Sequence, residues 1–276
     1  MDRIRLIASD MDATLLNEQS QLPADFEETI HALAELGIRF APASGRPLYT
    51  LEAMFPTLQN ELVFIGDNGG AIRWKGQNLF TSEMSPEGWR ALNRLTREQG
   101  DIAVLCGLES AYVERPFAVH DAVLRHFYTK IEYVDRLEDV TAPADKFTIY
   151  LPQHNAQQAY DTVYASQRSI YSVAVAGECW VDIMNPGVHK GAALQTLGQL
   201  WGLPSESMMA FGDTYNDAEM LQTVRYGFLM ENGSAPLRQK VPFLAPSNRE
   251  AGVMQVLHRV LAQNGCVCPE DFIPAH

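Results

Sequence analysis

The chain has 276 residues, of which 46% are hydrophobic and 20% charged, and its formal net charge is −13. This length allows one large core or two domains, and the composition is globular rather than fibrous or disordered. The acidic excess argues against nucleic acid as a partner, because such a surface needs clustered Lys and Arg to displace phosphate counterions. A small anionic substrate would need positive charge supplied locally by a metal ion, a lysine or helix N-termini.

The cysteines and the N-terminus indicate a compartment. The four cysteines form no CxxC pair, and Met1 leads within a few residues into the first predicted strand rather than into a signal-like segment. No apolar run is long enough to span a bilayer. We therefore expect a reduced cytoplasmic protein with no membrane partner, while the sequence does not indicate an oligomeric state.

The first predicted strand, residues 4–9, leads into two carboxylates, Asp10 and Asp12. Its branched apolar residues are typical of a buried parallel strand, and ligands of open α/β sheets bind beyond the carboxyl ends of such strands. Two carboxylates this close repel each other unless a cation such as Mg2+, which prefers oxygen ligands, neutralises them. Taken alone, the pair is more typical of a simple turn.

The next elements predict a right-handed βαβ unit. A helix over about residues 25–37 precedes a strand over 38–43, which ends at Ser44. This order places Ser44 beside Asp10 on one edge of the sheet.

A third strand over residues 62–65 leads into Asn68 and Gly69. This pair marks either a close approach of the backbone to another group or a plain hairpin turn.

From about residue 83 the pattern changes to helices alternating with short strands, some with one wetter face, which is typical of an antiparallel sheet. The predicted helices are 85–100, 117–128 and 155–165, and the predicted strands are 102–106, 111–114, 146–151, 169–175 and 179–184. The sequence thus predicts an α/β protein: a doubly wound, Rossmann-like parallel-sheet core from residues 1–82 and 187–276, with an α+β cap domain inserted at 83–186.

The first pattern returns after residue 186. Lys190 opens a helix with Leu194, Leu197 and Leu200 on one side, and a strand over residues 208–211 then ends near Asp213. Two strands over 226–230 and 243–245 and a helix over 249–262 follow, and the tail after residue 264 has no usable periodicity.

Asp10, Ser44, Lys190 and Asp213 are thus predicted to converge on one edge of a parallel sheet. A nucleophilic carboxylate, a Mg2+ held by carboxylates, a hydroxyl donor and a lysine are the parts that phosphoryl transfer needs. They also supply the positive charge that the acidic surface lacks.

With these motifs in order, the sequence resembles the haloacid dehalogenase-like phosphohydrolases, and within them the Cof-type group that carries a large α/β cap. The resemblance covers essentially the whole chain and rests on four motifs: Asp10-Met11-Asp12-Ala13-Thr14-Leu15-Leu16, Ala43-Ser44-Gly45-Arg46-Pro47, Val188-His189-Lys190-Gly191 and Gly212-Asp213-Thr214-Tyr215-Asn216-Asp217.

The resemblance implies a role for each motif residue. Asp10 would be the nucleophile that forms an aspartyl-phosphate, and Asp12 the general acid and base. The other implied roles are phosphoryl binding by Ser44, Gly45 and Lys190, contact of Asn216 with the phosphate or Lys190, Mg2+ binding by Asp10, the Asp12 carbonyl and Asp213 with support from Asp217, and a substrate rim of Arg46, Asn68 and Gly69.

Some residues have plainer interpretations. The family commonly has Gly where this chain has Ala13, so a strained turn there would cost about 1 kcal/mol or more. Asp217 is also suited to capping the following helix. His189 is expected to be an exposed neighbour of Lys190. The tryptophans are expected to pack in the core or cap rather than stack on substrate, as for Trp89, Trp180 and Trp201.

The predicted function is a Mg2+-dependent phosphatase of a small phosphorylated metabolite. A phosphomutase would use the same Asp10 chemistry, and a non-catalytic sensor of a phosphometabolite would bind without turnover. A receiver-type signalling domain also uses an acidic cluster with a Ser or Thr and a Lys, but such domains are about half this length and lack an inserted cap.

Overall fold

The computed structural model describes all 276 residues, arranged around two large sheets. The strands are β1 (Asp2–Arg3), β2 (Leu6–Asp10), β3 (Arg39–Ala43), β4 (Val63–Gly66), β5 (Ala71–Trp74), β6 (Gln77–Thr81), β7 (Ile102–Gly107), β8 (Ala111–Glu114), β9 (Ile131–Val134), β10 (Ala144–Tyr150), β11 (Ser172–Val175), β12 (Trp180–Met184), β13 (Met208–Gly212), β14 (Tyr226–Met230), β15 (Phe243–Ala245), β16 (Cys266–Val267) and β17 (Ile273–Pro274). The α-helices are α1 (Phe26–Glu35), α2 (Leu48–Ala53), α3 (Pro86–Gln99), α4 (Asp121–Phe127), α5 (Ala156–Thr162), α6 (Lys190–Trp201), α7 (Ala218–Thr223) and α8 (Gly252–Ala262).

The core sheet has nine strands in the order β17-β15-β14-β13-β2-β3-β4-β5-β6. The six from β15 to β4 run parallel, and β5, β6 and β17 extend the two edges antiparallel. One face is buried under α1 and α8, and the other under α6 and α7. Helices on both faces of a mostly parallel sheet confirm the predicted doubly wound core.

The cap sheet has six strands in the order β11-β12-β10-β7-β8-β9, antiparallel except for the β8–β9 pair. Phe147 and Ile149 of β10 pack with α3 and α5 on one face. Since successive strand residues point to opposite faces, Lys146 and Thr148 lie on the other face. This alternation gives the cap sheet one apolar and one partly polar side.

The two connections between the sheets run side by side. The Asn185 amide donates hydrogen bonds to the carbonyl oxygens of Ser82 at 3.2 Å and Glu83 at 2.8 Å. The cap sheet lies within residues 102–184, while the domain boundaries at residues 83 and 186 stay predictions.

Every predicted helix and strand has a counterpart in the structure, but the structure also contains several strands that the sequence pattern does not predict. The β5–β6 hairpin, β9 and the tail strands β16 and β17 were not predicted. β16 pairs with β1 and β17 with β15, so long-range partners rather than a local pattern create them. Leu200, predicted on the apolar side of α6, is 54% exposed. None of the helices is both long and apolar enough to cross a membrane, and all four cysteines are free thiols.

The chain leaves β2 through a tight turn, Met11–Leu15. Within it Ala13 has φ 59° and ψ 7°, the left-handed region that the expected glycine would occupy at little cost. The Asn232 amide donates to the Ala13 carbonyl oxygen at 2.8 Å and holds this turn in place. The strain predicted at this position is therefore present in the backbone.

Replacement of Ala13 by Gly is expected to raise the free energy of unfolding by about 1 kcal/mol, because glycine adopts this backbone conformation without the Cβ clash. Urea denaturation followed by circular dichroism measures the change. The matched control is Ala34→Gly at an exposed position of α1, which should lower stability by about 1 kcal/mol. Equal destabilisation by both variants would contradict strain at Ala13.

Candidate active site

Three adjacent parallel strands bring the first predicted site residues together. β13, β2 and β3 are neighbours, and their carboxyl ends carry Asp213, Asp10 and Ser44. All three side chains are buried at the edge of the sheet. The register of the sheet thus fixes their separation, because each lies at or just after the end of a strand.

Lys190 lies in the middle of this edge as the first residue of α6, and it is 0% exposed. Its Nζ donates hydrogen bonds to Asp10 Oδ1 at 2.5 Å and to Asp217 Oδ1 at 2.6 Å. Burial alone would lower the pKa of this ammonium, but the two carboxylates outweigh burial and raise the pKa above its ordinary value. Lys190 is therefore a permanent positive charge in the site.

Asp10, Asp213 and Asp217 form an acidic cluster, with one oxygen of each lying within 4.8 Å of the others. Burial and the charge of Asp217 raise the pKa of Asp10 to about 8, against the opposing effect of Lys190. Burial, followed by the charge of Asp217, likewise raises the pKa of Asp213 to about 6. One lysine does not balance three carboxylates, and an all-oxygen donor set of this kind fits a hard divalent cation.

Asp217 stabilises the turn before α7 and also belongs to the acidic cluster. Its Oδ2 accepts from the backbone N–H groups of Asp213 at 3.0 Å and Thr214 at 3.2 Å, which forms a capping box at the turn before α7. Its Oδ1 faces Lys190 in the cluster. A Cβ on Gly212 would lie 2.4 Å from the Asp217 Cβ, so glycine allows this close packing.

Asp12 stands apart from the acidic cluster. Its side chain is 58% exposed, and its Oδ1 accepts from Arg46 Nη2 at 2.9 Å. Both residues line the cleft between the sheets. The pair holds the Asp12 carboxylate beside the cleft.

Backbone hydrogen bonds join the Ser44–Arg46 loop to the turn after β4. The Asn68 N–H donates to the Ser44 carbonyl at 2.9 Å, and the Asp67 N–H donates to that of Arg46 at 3.0 Å. Gly69 has φ 100°, and a Cβ there would lie 2.6 Å from the His189 carbonyl oxygen. Residues 67–69 are thus both the connection of a β4–β5 hairpin and a point of close backbone approach.

Asn216 does not contact Lys190, one of its two expected partners, and His189 is less exposed than expected. Asn216 is exposed beside the cleft and accepts from Thr214 Oγ1 at 2.6 Å, while the Lys190 ammonium contacts Asp10 and Asp217 instead. His189 is half-buried, and its Nδ1 accepts from the Ala192 N–H at 3.1 Å. It caps the N-terminus of α6 and so orients Lys190, rather than being an exposed neighbour.

A cleft of about 410 Å³ separates the two sheets. The core side contributes Asp12, Ser44, Gly45, Arg46, Pro47, Asn68 and residues 214–216, and the cap side contributes Phe127, Tyr128, Lys146, Thr148, Trp180, Asp182 and residues 174–177. Trp180 packs in the cap as expected, but its ring also lines this cleft, whereas Trp89 and Trp201 only pack. The polar alternation of β10 was the signal that could have identified Lys146 and Thr148.

Comparison with known proteins identifies the class. The model of the haloacid dehalogenase-like hydrolase family matches residues 7–257. The chain belongs to this family, and it is a HAD-like phosphatase of the Cof type.

Several relatives span nearly the whole chain. The 5-amino-6-(5-phospho-D-ribitylamino)uracil phosphatase YbjI of Escherichia coli is 32% identical, over 94% of this chain and 96% of its own. HMP-PP phosphatase of Cronobacter sakazakii is 31% identical, over 87% and 89%. The crystal structure of SMU.1108c from Streptococcus mutans has a TM-score of 0.83 at 29% identity, covering 94% of this chain and 99% of that one. A HAD/COF-like hydrolase from Plasmodium vivax, at 17% identity and a TM-score of 0.84 over 95% and 97%, shares the fold.

The raised carboxyl pKa values predict a pH dependence of stability in the absence of divalent cations. Unfolded Asp titrates near 3.9, so between that pH and about 8 the folded protein holds a proton on Asp10 that the unfolded chain has released. The free energy of unfolding should therefore fall as pH rises, by about 2 kcal/mol between pH 6 and 8. Urea denaturation in EDTA at pH values from 6 to 8 measures this change in the free energy of unfolding.

The Asp10→Asn variant should lose most of that decrease, because its amide does not titrate. Asp135→Asn is the matched control, since Asp135 is 85% exposed and paired with Arg115, and it should behave as wild type. Wild-type stability that is flat or rising between pH 6 and 8 would contradict the raised pKa of Asp10.

Proposed function

We propose that this enzyme is a Mg2+-dependent phosphatase that hydrolyses a small-metabolite phosphate monoester through an aspartyl-phosphate on Asp10. The observation that carries the proposal is the Asp10 carboxylate, held by a buried lysine within an acidic cluster at the edge of the core sheet, beside the cleft-lining Asp12. A carboxylate nucleophile beside fixed positive charge is what covalent phosphoryl transfer requires. The partner is a small phosphorylated metabolite rather than nucleic acid or a membrane, and the cytoplasm is the proposed location.

The first step transfers the phosphoryl group to Asp10. One carboxylate oxygen forms a bond to phosphorus while the bond from phosphorus to the leaving-group oxygen breaks, and Asp12 gives that oxygen a proton. Ser44, Gly45 and Lys190 hold the other phosphoryl oxygens, and exposed Asn216 reaches the phosphate from the cleft. Arg46, Asn68 and Gly69 form the rim on the core side.

The second step returns the enzyme to its starting state. Asp12, now a carboxylate, takes a proton from water, whose oxygen attacks the phosphorus and releases inorganic phosphate from Asp10. The same residue thus serves as acid and then base, which its position at the cleft allows. Its pairing with Arg46 keeps it out of the acidic cluster.

The acidic cluster is the proposed metal site. Asp10 and Asp213 would hold Mg2+ with the Asp12 backbone carbonyl, and Asp217 would support them through its contact with Lys190. When bound, Mg2+ neutralises charge on the phosphoryl oxygens and orients them.

The Asp10→Asn variant is expected to lose phosphatase activity while staying folded, because it keeps the shape of the side chain and lacks the nucleophile. Release of inorganic phosphate from p-nitrophenyl phosphate measures activity, with Asp135→Asn as the control. Substantial residual turnover in Asp10→Asn would refute covalent catalysis by this residue. A wild-type protein that releases nothing while phosphometabolites raise its melting temperature would favour the sensor.

The Asp12→Asn variant separates the two steps. Since p-nitrophenolate leaves without a proton, Asp10 should still become phosphorylated, but hydrolysis should slow by about 10²–10⁴-fold. Intact-protein mass spectrometry of acid-quenched samples should then show an 80-dalton adduct that is absent from Asp10→Asn. If no adduct accumulates, Asp12 is not the base of the second step.

Mg2+ is expected to raise the melting temperature by several degrees over KCl of equal ionic strength, because it binds the folded acidic cluster. The Asp213→Asn variant should lose this response, although removal of one of the mutually repelling charges should leave its metal-free stability no lower. Asp135→Asn should respond as wild type. A wild-type melting temperature unaffected by Mg2+ would contradict the site independently of any activity assay.

A further inference from the structure

The cap side of the cleft carries an ordered set of side chains whose chemistry differs from that of the core side. Asp182 and Trp180 of β12 lie opposite Thr148 and Tyr150 of β10 in the antiparallel register. Asp182, Thr148 and Trp180 line the cleft. They line the same cleft as Asp12 and Ser44, the neighbours of the proposed nucleophile Asp10.

The positive charge on the cap side of the cleft, called the wall below, is already paired with other groups. Lys146 is its one cation, and its buried Nζ lies 2.6 Å from the Gly45 carbonyl oxygen, 2.9 Å from Asp67 Oδ1 and 3.7 Å from Asp182 Oδ2. Arg46 on the core side is paired with Asp12. A leaving group with its own carboxylate or phosphate would therefore find no free cation here and would approach the Asp182 carboxylate.

The wall offers hydrogen-bond acceptors instead. Asp182 is held by Thr148 Oγ1 at 2.7 Å and by Asn68 Nδ2 at 3.2 Å. Asn68 Nδ2 thereby holds one oxygen of this carboxylate from the core side. Because Asp182 lines the cleft and its carboxylate oxygens accept hydrogen bonds, a ligand that donates N–H groups toward them would be favoured.

An aromatic surface lies next to these acceptors. The Trp180 indole, 9% exposed, packs against Tyr150 at a centroid distance of 4.6 Å and against the edge of Phe127 at 5.0 Å. These neighbours hold the indole in place, so it loses little freedom when a second ring packs against it. The cleft volume of about 410 Å³ is within the range of sites that enclose ring-containing ligands.

We propose that Trp180, Phe127, Asp182 and Asn68 form a leaving-group subsite for a neutral, planar nitrogen heterocycle that carries N–H or amino donors. The heterocycle is joined to the phosphate ester through a sugar or short polyol chain. This inference rests on the proposed phosphatase function and names its substrate class. Simple sugar phosphates would leave the aromatic surface unused, and acidic leaving groups would be repelled by Asp182.

Matched phosphate esters test the ring requirement. Ribose 5-phosphate and uridine 5′-monophosphate differ in the base, and ribitol 5-phosphate and flavin mononucleotide differ in the isoalloxazine ring. In at least one pair, kcat/KM should be about tenfold or more higher for the ester with the ring. If wild type hydrolyses the ring-free ester at least as well in both pairs, the subsite is wrong while the phosphatase function stands.

Variants assign the preference to named residues. Trp180→Leu should reduce the ratio of kcat/KM between the ring-containing and ring-free esters by about fivefold or more, and Trp180→Phe should retain most of it. Trp201→Leu, which alters a tryptophan that packs on Trp74 away from the cleft, should leave the ratio unchanged. A Trp180→Leu variant that lowers both esters equally would show a purely structural role and overturn the proposal.

Orotidine 5′-monophosphate is uridine 5′-monophosphate with one added carboxylate. This pair therefore tests how a negative charge on the leaving group affects hydrolysis. Wild type should prefer the uridine ester, and Asp182→Asn should narrow the difference by about threefold or more. A wild-type preference for the orotidine ester would overturn the proposal. It would point to Arg168, which lines an adjoining cavity of about 580 Å³.

Binding to the Asp10→Asn variant separates the subsite from the chemistry. Isothermal titration calorimetry with the same pairs should give tighter binding of the ring-containing ester in at least one pair. Equal binding in both pairs would overturn the subsite whether or not wild type is a phosphatase. Acetyl phosphate has a small leaving group that does not reach the cap side of the cleft, so its hydrolysis reports the chemistry at Asp10 alone. If neither acetyl phosphate nor any ester is hydrolysed in an Asp10-dependent way, the proposed phosphatase function is wrong.

Discussion

The buried ammonium of Lys190 is the interaction on which the core side of the cleft depends. It is the one cation in contact with an acidic cluster that three elements bring together, and without it Asp10 and Asp217 would be buried charges with no counterion. One positive charge against three carboxylates still leaves the cluster with a net negative charge. Burial and this repulsion together raise the pKa of Asp10. A divalent cation would complete the balance, since +1 and +2 together equal the three negative charges.

A second buried lysine has a comparable position at the seam between the two sheets. Lys146 belongs to the cap sheet, yet its ammonium contacts the Gly45 carbonyl and Asp67 on the core side as well as Asp182 on its own sheet. Because an unpaired buried ammonium is costly, separating the sheets would cost free energy unless water replaced these contacts. Gly45 lies between Ser44 and Arg46, so the position of the cap and the shape of this loop are linked through one side chain.

The sequence predicts the positions of those candidate site residues that lie at the end of a strand. Asp10, Ser44 and Asp213 follow short apolar strands, and parallel strands bring their carboxyl ends to one edge, so local periodicity was enough to place them together. The cap wall is different because Asp182 and Trp180 lie within an antiparallel strand. Their alternation with apolar residues was visible, but the helices that cover the other face decide which side meets the cleft. The tail strands depended on distant partners and left no local pattern.

The two sides of the cleft differ in how the fold positions their side chains. On the core side, Asp10, Ser44 and Lys190 are each positioned by a strand end or a helix N-terminus, so a substitution of one of them would alter the geometry of the proposed phosphoryl transfer. On the cap side, Trp180 and Asp182 project from the middle of a strand whose backbone is fixed by pairing with β10 and β11. Trp180 packs on the cap residues Tyr150 and Phe127, whereas Asp182 accepts from Asn68 on the core side. Lys146 and Asp182 both contact the core side, so a substitution at either would alter the core side of the cleft as well as the cap side.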